Sequence, residues 1–156
     1  MQTSTAPVAF ANSNQRFVPA GAVQTEGGRG RLWTGRALSG LALAFLAFDT
    51  VGKLLQIAPV IEGTTELGYP AHSVLTIGLI QLACVLLYAL PRTAALGAIL
   101  LTGYLGGAIA THVRVDNPLF THVLFPIYVA ALIWGGLYLR DARLAVLLPF
   151  AAKRPR

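Results

Sequence analysis

Residues 32–57 read LWTGRALSGLALAFLAFDTVGKLLQI. The run is apolar over most of its length. A helix rises ~1.5 Å per residue, so about 20 apolar residues cross a hydrocarbon core of ~30 Å. Leu32 to Ile57 is long enough to do so. It nevertheless carries Asp49 and Lys53, an acid and a base four residues apart. On a helix that spacing sets the two side by side. Two questions follow: whether the rest of the chain is built the same way, and what the pair is for.

Three more apolar segments answer the first: Ser73–Leu90, Thr93–Val113 and Leu119–Leu139. None alternates with a period of two, and all are too long for barrel strands. In lipid only a helix or a closed barrel satisfies its backbone. The expected fold is all-α, an integral membrane bundle of four transmembrane helices within residues 32–147. Composition agrees. Of 156 residues, 55% are hydrophobic and 12% charged, and mean hydropathy is +0.64. A soluble domain carries about 25% charged residues. A compact water-soluble protein is disfavoured on that ground.

Residues 1–31 are rich in Ala, Ser, Thr, Asn and Gly and read as a flexible cytoplasmic tail. They lack the apolar core of a cleaved signal peptide. Their arginines and scarce acids faintly resemble a transit peptide, but the amphipathic helical pattern is missing. Residues 148–156 form a second, basic tail.

The net charge of +6 carries topology. Ten of the twelve basic residues fall on one side of the expected spans: Arg16, Arg29, Arg31 and Arg36 before the first, Arg92 in the second loop, and Arg140, Arg143, Lys153, Arg154 and Arg156 at the end. Lys and Arg gather in cytoplasmic loops. Both termini are therefore expected in the cytoplasm, with the first and third loops outside. Trp33, Tyr88, Trp134 and Tyr138 are expected near the inner interface. A nucleic-acid partner is not expected, because the basic residues are dispersed and flank spans.

Cys84 is the single cysteine, so disulfide shuttling, which needs a pair, is excluded. Cys84 reads as a small packing residue. No zinc-protease, P-loop or dinucleotide motif is present. Gly103 and Gly107 form G-x-x-x-G, extended by Gly106 and Ala110, and are expected to form a packing face within the bundle; a homo-oligomer contact is the alternative. Gly35, Ser39 and Gly40 read as a second packing face. Pro126 is expected to kink the last helix.

With this topology the polar side chains collect at the outer end. Asp49 and Lys53 approach it from the first helix. The first loop adds Glu62, Glu66, Tyr69 and His72. Tyr104 and His112 share a stripe of the third helix, Arg114 follows, and His122 opens the fourth. Charge inside a bilayer costs about 2.5–3.5 kcal/mol on insertion scales, so Asp49 should face the interior. Three readings of it stay open: an ion pair fixing helix register, a polar pocket that binds a ligand or moves protons, and head-group anchoring. The candidate ligand-binding set is Asp49, Lys53, Tyr104, His112, Arg114 and His122. A metal site is not expected, since the histidines lie on different elements without tight spacing.

The runs RALSGLALAFLAFDTVGKL (36–54), LGYP (67–70), GAILLTGYLGGAIATHVR (97–114) and WGGLYLRDARLAVLLP (134–149) together resemble the DoxX-like membrane proteins. The resemblance covers Arg36 to Pro149. It implies a four-helix integral membrane protein, mostly bacterial, hence the inner membrane. The broader grouping is associated with quinone-linked oxidoreductase complexes, including oxidation of sulfur compounds. No catalytic residue carries over. The resemblance thus implies quinone as the candidate cofactor and a redox protein as the candidate partner. The alternative is a non-catalytic membrane scaffold or a component that binds lipid or a small solute. No haem or iron–sulfur ligand set is visible in the sequence.

Overall fold

The computed structural model describes residues 26–141 and Leu144. Residues 1–25 of the expected N-terminal tail (1–31) and the whole expected C-terminal tail (148–156) lie outside the described residues, as do Arg16, Arg143, Lys153, Arg154 and Arg156. The described chain is all-helical. Its helices are α1 (Glu26–Leu54), α2 (Ala58–Glu66), α3 (Ser73–Ala89), α4 (Ala94–Arg114) and α5 (Phe125–Arg140). A π-helical turn, Leu119–Val123, precedes α5.

The four long helices form a ring. α1 packs on α5 and α3, α3 on α4, and α4 on α5. The core is a file of apolar side chains running through it, including Leu46, Val85, Leu101 and Ile133. The outside is also apolar: Phe48 is 77% exposed, Phe120 72% and Leu55 70%. Water would penalise such a surface, whereas lipid tails accept it. Three helical stretches are long and apolar enough to cross a membrane: Gly28–Leu54, Ala94–Arg114 and Leu119–Arg140. The segment expected as a further span, α3, has 17 residues and is shorter.

Small residues set the helix spacing, though not where G-x-x-x-G pointed. A Cβ on Gly103, Gly106 or Gly107 would meet nothing within 4 Å. The expected packing face of Gly103 and Gly107 inside the bundle is corrected accordingly. The motif turns toward a cavity and the exterior, and no neighbouring helix makes close contact with it. The close contacts lie elsewhere. A Cβ on Gly136 would sit 2.4 Å from Ser39 Oγ, and one on Gly35 would sit 3.0 Å from the Gly136 carbonyl. This joins α1 to α5 through the expected Gly35–Ser39 face; Gly40 has open space beside it. At the α3–α4 hairpin, a Cβ on Gly97 would fall 2.3 Å from the Tyr88 backbone nitrogen.

Three further expectations change. Helix α1 begins at Glu26, before Leu32, and that first part is anchored to α5. Arg31 donates a hydrogen bond of 3.3 Å to the Tyr138 carbonyl and lies over the Tyr138 ring. Pro126 does not kink α5 but starts it, where a proline loses no intrahelical bond. Tyr88 is wholly buried, with its hydroxyl 3.0 Å from both Ser39 Oγ and the Ile133 carbonyl, so it is a core residue and not an interfacial ring.

The connection after α1 is not an open loop. Gln56 turns the chain with φ of 50°. Pro59 then stands in the first turn of α2, the position that tolerates it. Helix α2 crosses that end of the bundle and stops at Gly68, whose φ of 83° suits glycine. A Cβ there would also lie 2.9 Å from the Arg114 guanidinium. The LGYP stretch is thus the turn that hands α2 over to α3.

Candidate functional site

The pair that opened the sequence question is an ion pair. The Lys53 ammonium donates to Asp49 Oδ2, and both side chains are partly buried. A third residue completes it. Gln81 of α3 is wholly buried and sends Nε2–H to Asp49 Oδ2 at 2.7 Å, with the Leu46 carbonyl 3.4 Å away. Its Oε1 accepts the hydroxyl of Tyr104 on α4 at 2.8 Å. A polar string, Lys53–Asp49–Gln81–Tyr104, therefore ties α1, α3 and α4 together inside the ring. Buried polar groups must pair or lose several kcal/mol of solvation, and this string pairs each of them.

Tyr104 also lines a cavity of about 320 Å³. Ile77 and Ile80 of α3 form one wall. Gly103, Gly107, Ala108 and Thr111 of α4 form the opposite one, and the two open glycines give it width. Thr64, Leu67 and Tyr69, from α2 and its following turn, roof it. The roof is tied down: the Tyr69 hydroxyl meets Thr111 Oγ1 at 2.9 Å, and the Arg114 guanidinium donates to the Leu67 carbonyl. Tyr104 and Thr111 are seven residues apart, so the cavity runs roughly 10 Å along α4. Its walls are mainly apolar, with hydroxyls at both ends, the usual make-up of a small-molecule site.

Two of the three histidines, His112 and His122, sit beside this cavity. His112 lines it and also borders a neighbouring, more polar pocket of about 370 Å³, reached by Glu66, Asn117 and His122. The π-helical turn brings His122 within 5.6 Å of His112, ring edge to face. Asn117 Nδ2–H donates to His112 Nδ1 at 2.8 Å, and Thr121 Oγ1 lies 2.8 Å from His122 Nδ1. Among the described residues no group of three or more His, Cys, Asp or Glu is placed to hold a metal ion.

Of the six candidate residues, the structure joins Asp49, Lys53 and Tyr104 in one string, and pairs His112 with His122 in the adjoining pocket. Arg114 lines neither cavity and acts on the roof. The sequence reading missed Gln81 and Thr111. Gln81 was legible as an amide amid LIQLAC, where an unpaired amide is costly.

A family model covers residues 37–136 and describes the DoxX-like family. The chain belongs to the DoxX-like family. The matched stretch spans the whole polar string and both walls of the cavity, so these features lie within the DoxX-like part of the chain. No curated protein and no solved structure matches the chain.

Proposed function

We propose that this DoxX-like protein is a four-span protein of the bacterial inner membrane that binds a small apolar molecule of the quinone class in the outer half of its bundle, as a subunit linked to a redox complex. Four spans are supported by the ring. Helix α3 lies between α1 and α4, both of crossing length, and joins α4 through only Leu90–Thr93. Its 17 residues reach roughly 25 Å, and slight tilt of neighbours or local thinning absorbs the rest. Cytoplasmic termini are supported by the basic residues, and by arginines stacked on aromatic rings at the end away from α2: Arg36 over Trp33 and Arg31 over Tyr138.

The observation that carries the ligand reading is the cavity itself. It is long, apolar and roofed at one end by α2 and its following turn, and it includes Tyr104, whose hydroxyl is wired to a buried amide and carboxylate. Membrane quinones have an apolar tail and an oxygen-bearing ring, which suits such a site. A second reading is a scaffold that docks on a partner or on its own copy through the open glycine face of α4.

Two measurements test this. Reporter fusions at Arg156 and within 62–66 are expected to read cytoplasmic and external respectively; an external reading at Arg156 reverses the topology. Mass spectrometry of the protein extracted with native lipids is expected to find a quinone or related apolar molecule in roughly equimolar amount, and to lose it in Tyr104→Leu. Recovery of phospholipid alone from both proteins counts against the pocket and favours the scaffold.

A further inference from the structure

The cavity has a hydrogen-bond polarity, and the protons of its hydroxyls can be counted. Each hydroxyl has one proton to give and two lone pairs to accept with. Four hydroxyls line the cavity: Thr64, Tyr69, Tyr104 and Thr111. Thr64 Oγ1 donates to the Val60 carbonyl at 2.7 Å, and Thr111 Oγ1 donates to the Gly107 carbonyl at 2.9 Å. Carbonyls only accept, so these two protons are committed. Tyr69 meets Thr111 Oγ1 at 2.9 Å, and since the Thr111 proton is already used, Tyr69 is the donor.

Tyr104 is fixed from further away. Asp49 is a carboxylate beside Lys53 and can only accept. Gln81 must therefore turn its NH₂ toward Asp49 and the Leu46 carbonyl, which leaves Oε1 facing Tyr104. The Tyr104 proton goes to that oxygen. The ion pair thus sets the orientation of the amide, and the amide sets that of the phenol. All four lining hydroxyls spend their protons inside the protein and keep only lone pairs for an occupant. The one remaining polar side chain in the lining is His112, whose Nδ1 accepts from Asn117, so its neutral ring carries its proton on Nε2. It stands two turns along α4 from Tyr104.

We infer that the Tyr104 end of the cavity, away from His112, selects a molecule whose head donates a hydrogen bond, such as a phenol, an alcohol or a hydroquinone, over the matching ether or quinone, with Tyr104 as the accepting residue and Gln81 as the residue that positions it. This rests on the ligand reading above and sharpens it: of a quinone couple, the reduced member is the better fit. A quinone carbonyl placed against Tyr104 would face lone pairs, and seating it would require breaking the Tyr104–Gln81 bond.

The test uses the full chain in detergent and two matched probe pairs. One is para-heptylphenol against its methyl ether, which differ in the donor and are redox-silent. The other is a short-tailed benzoquinol against its benzoquinone, measured without oxygen. Calorimetric titration is expected to show the phenol and the quinol binding roughly tenfold tighter than their partners. Tyr104→Phe, which keeps the ring, is expected to bring each pair to near equality, and Gln81→Met, which removes the oxygen that takes the Tyr104 proton and leaves that proton free for an occupant, is expected to shrink the preference while the protein stays folded by gel filtration. Equal or tighter binding of the ether and the quinone overturns the donor preference and leaves a pocket for apolar molecules standing. Phenol selectivity with no binding of either quinone form sustains the preference and removes the quinone. Absence of saturable binding by all four probes overturns both.

Discussion

Gly97→Ala is expected to destabilise this bundle far more than Gly107→Ala, although only the second glycine belongs to the motif that stands out in the sequence. The added methyl at Gly97 would lie 2.3 Å from the Tyr88 backbone nitrogen and 2.5 Å from its Cα. Real Cβ atoms do not come so close, and backbone cannot turn aside as a side-chain tip can. The α3–α4 hairpin must open to admit it, and Tyr88, wholly buried against Ser39 and Ile133, must move with the hairpin. Overpacking of this kind costs about 1–3 kcal/mol, and displacement of backbone puts Gly97 at the upper end. Gly136→Ala is expected to behave similarly, because its methyl would meet the Ser39 nitrogen at 2.8 Å. At Gly107 a methyl meets nothing within 4 Å, so no loss is expected beyond the scatter of surface changes, and alanine favours the helix by up to about 1 kcal/mol. Unfolding in graded denaturing detergent, followed by circular dichroism, measures this. Equal stability of Gly97→Ala and the parent would mean that the hairpin is looser than the structure shows. A marked loss in Gly107→Ala would point to a partner helix on that face, and dimer content by crosslinking would then separate the two explanations.

These glycines mark what a sequence of this kind can and cannot disclose. The apolar segments were legible because lipid imposes length and composition on any spanning helix. The edges of the second and third segments matched α3 and α4 within one residue, whereas α1 begins at Glu26, ahead of Leu32, and α5 begins at Phe125, after the π-helical turn that opens the fourth segment. Which helix faces which was not legible, because lipid and protein core are equally apolar and the outward and inward faces look alike: Phe48 and Leu46 are two residues apart, one exposed and one buried. Gly97 and Gly107 look equivalent for the same reason. Helix α2 escaped notice because it is short and packs no side chain deeply. In the site, charge was the visible signal, so Asp49 and Lys53 were found directly. Gln81 carries no charge and has no short-range partner in sequence, and its role depends on the arrangement of α1, α3 and α4.

The ion pair gives the other large effect. Asp49→Leu is expected to cost about 2.5–3.5 kcal/mol, the scale on which a lone charge in a bilayer helix is penalised, because Lys53 is left without its partner, and in addition it breaks the Gln81 bond. Lys53→Leu is expected to cost somewhat less, since Asp49 keeps the Gln81 amide at 2.7 Å. The double change to leucine removes both charges and most of that penalty, as replacement of whole buried pairs often does. What remains is the Gln81 amide, which loses its short bond and keeps only the Leu46 carbonyl at 3.4 Å, a loss of about 1–3 kcal/mol. The double mutant is therefore expected to be more stable than Asp49→Leu alone but less stable than the parent. Denaturation of the four proteins in the same detergent reads these differences. A double mutant no better than Asp49→Leu would show that Asp49 stabilises the bundle through Gln81 and not through Lys53. The same protein also separates structure from ligand choice. Without Asp49 only the long bond to the Leu46 carbonyl at 3.4 Å orients the Gln81 amide, and Tyr104 gains freedom to donate as well as accept. A double mutant that folds is therefore expected to bind the phenol about as tightly as before and its methyl ether more tightly, so that the preference narrows from the weak side. If the preference stays at full strength in that protein, the orientation of Tyr104 does not depend on Asp49, and the acid's place in the fold reduces to neutralising Lys53.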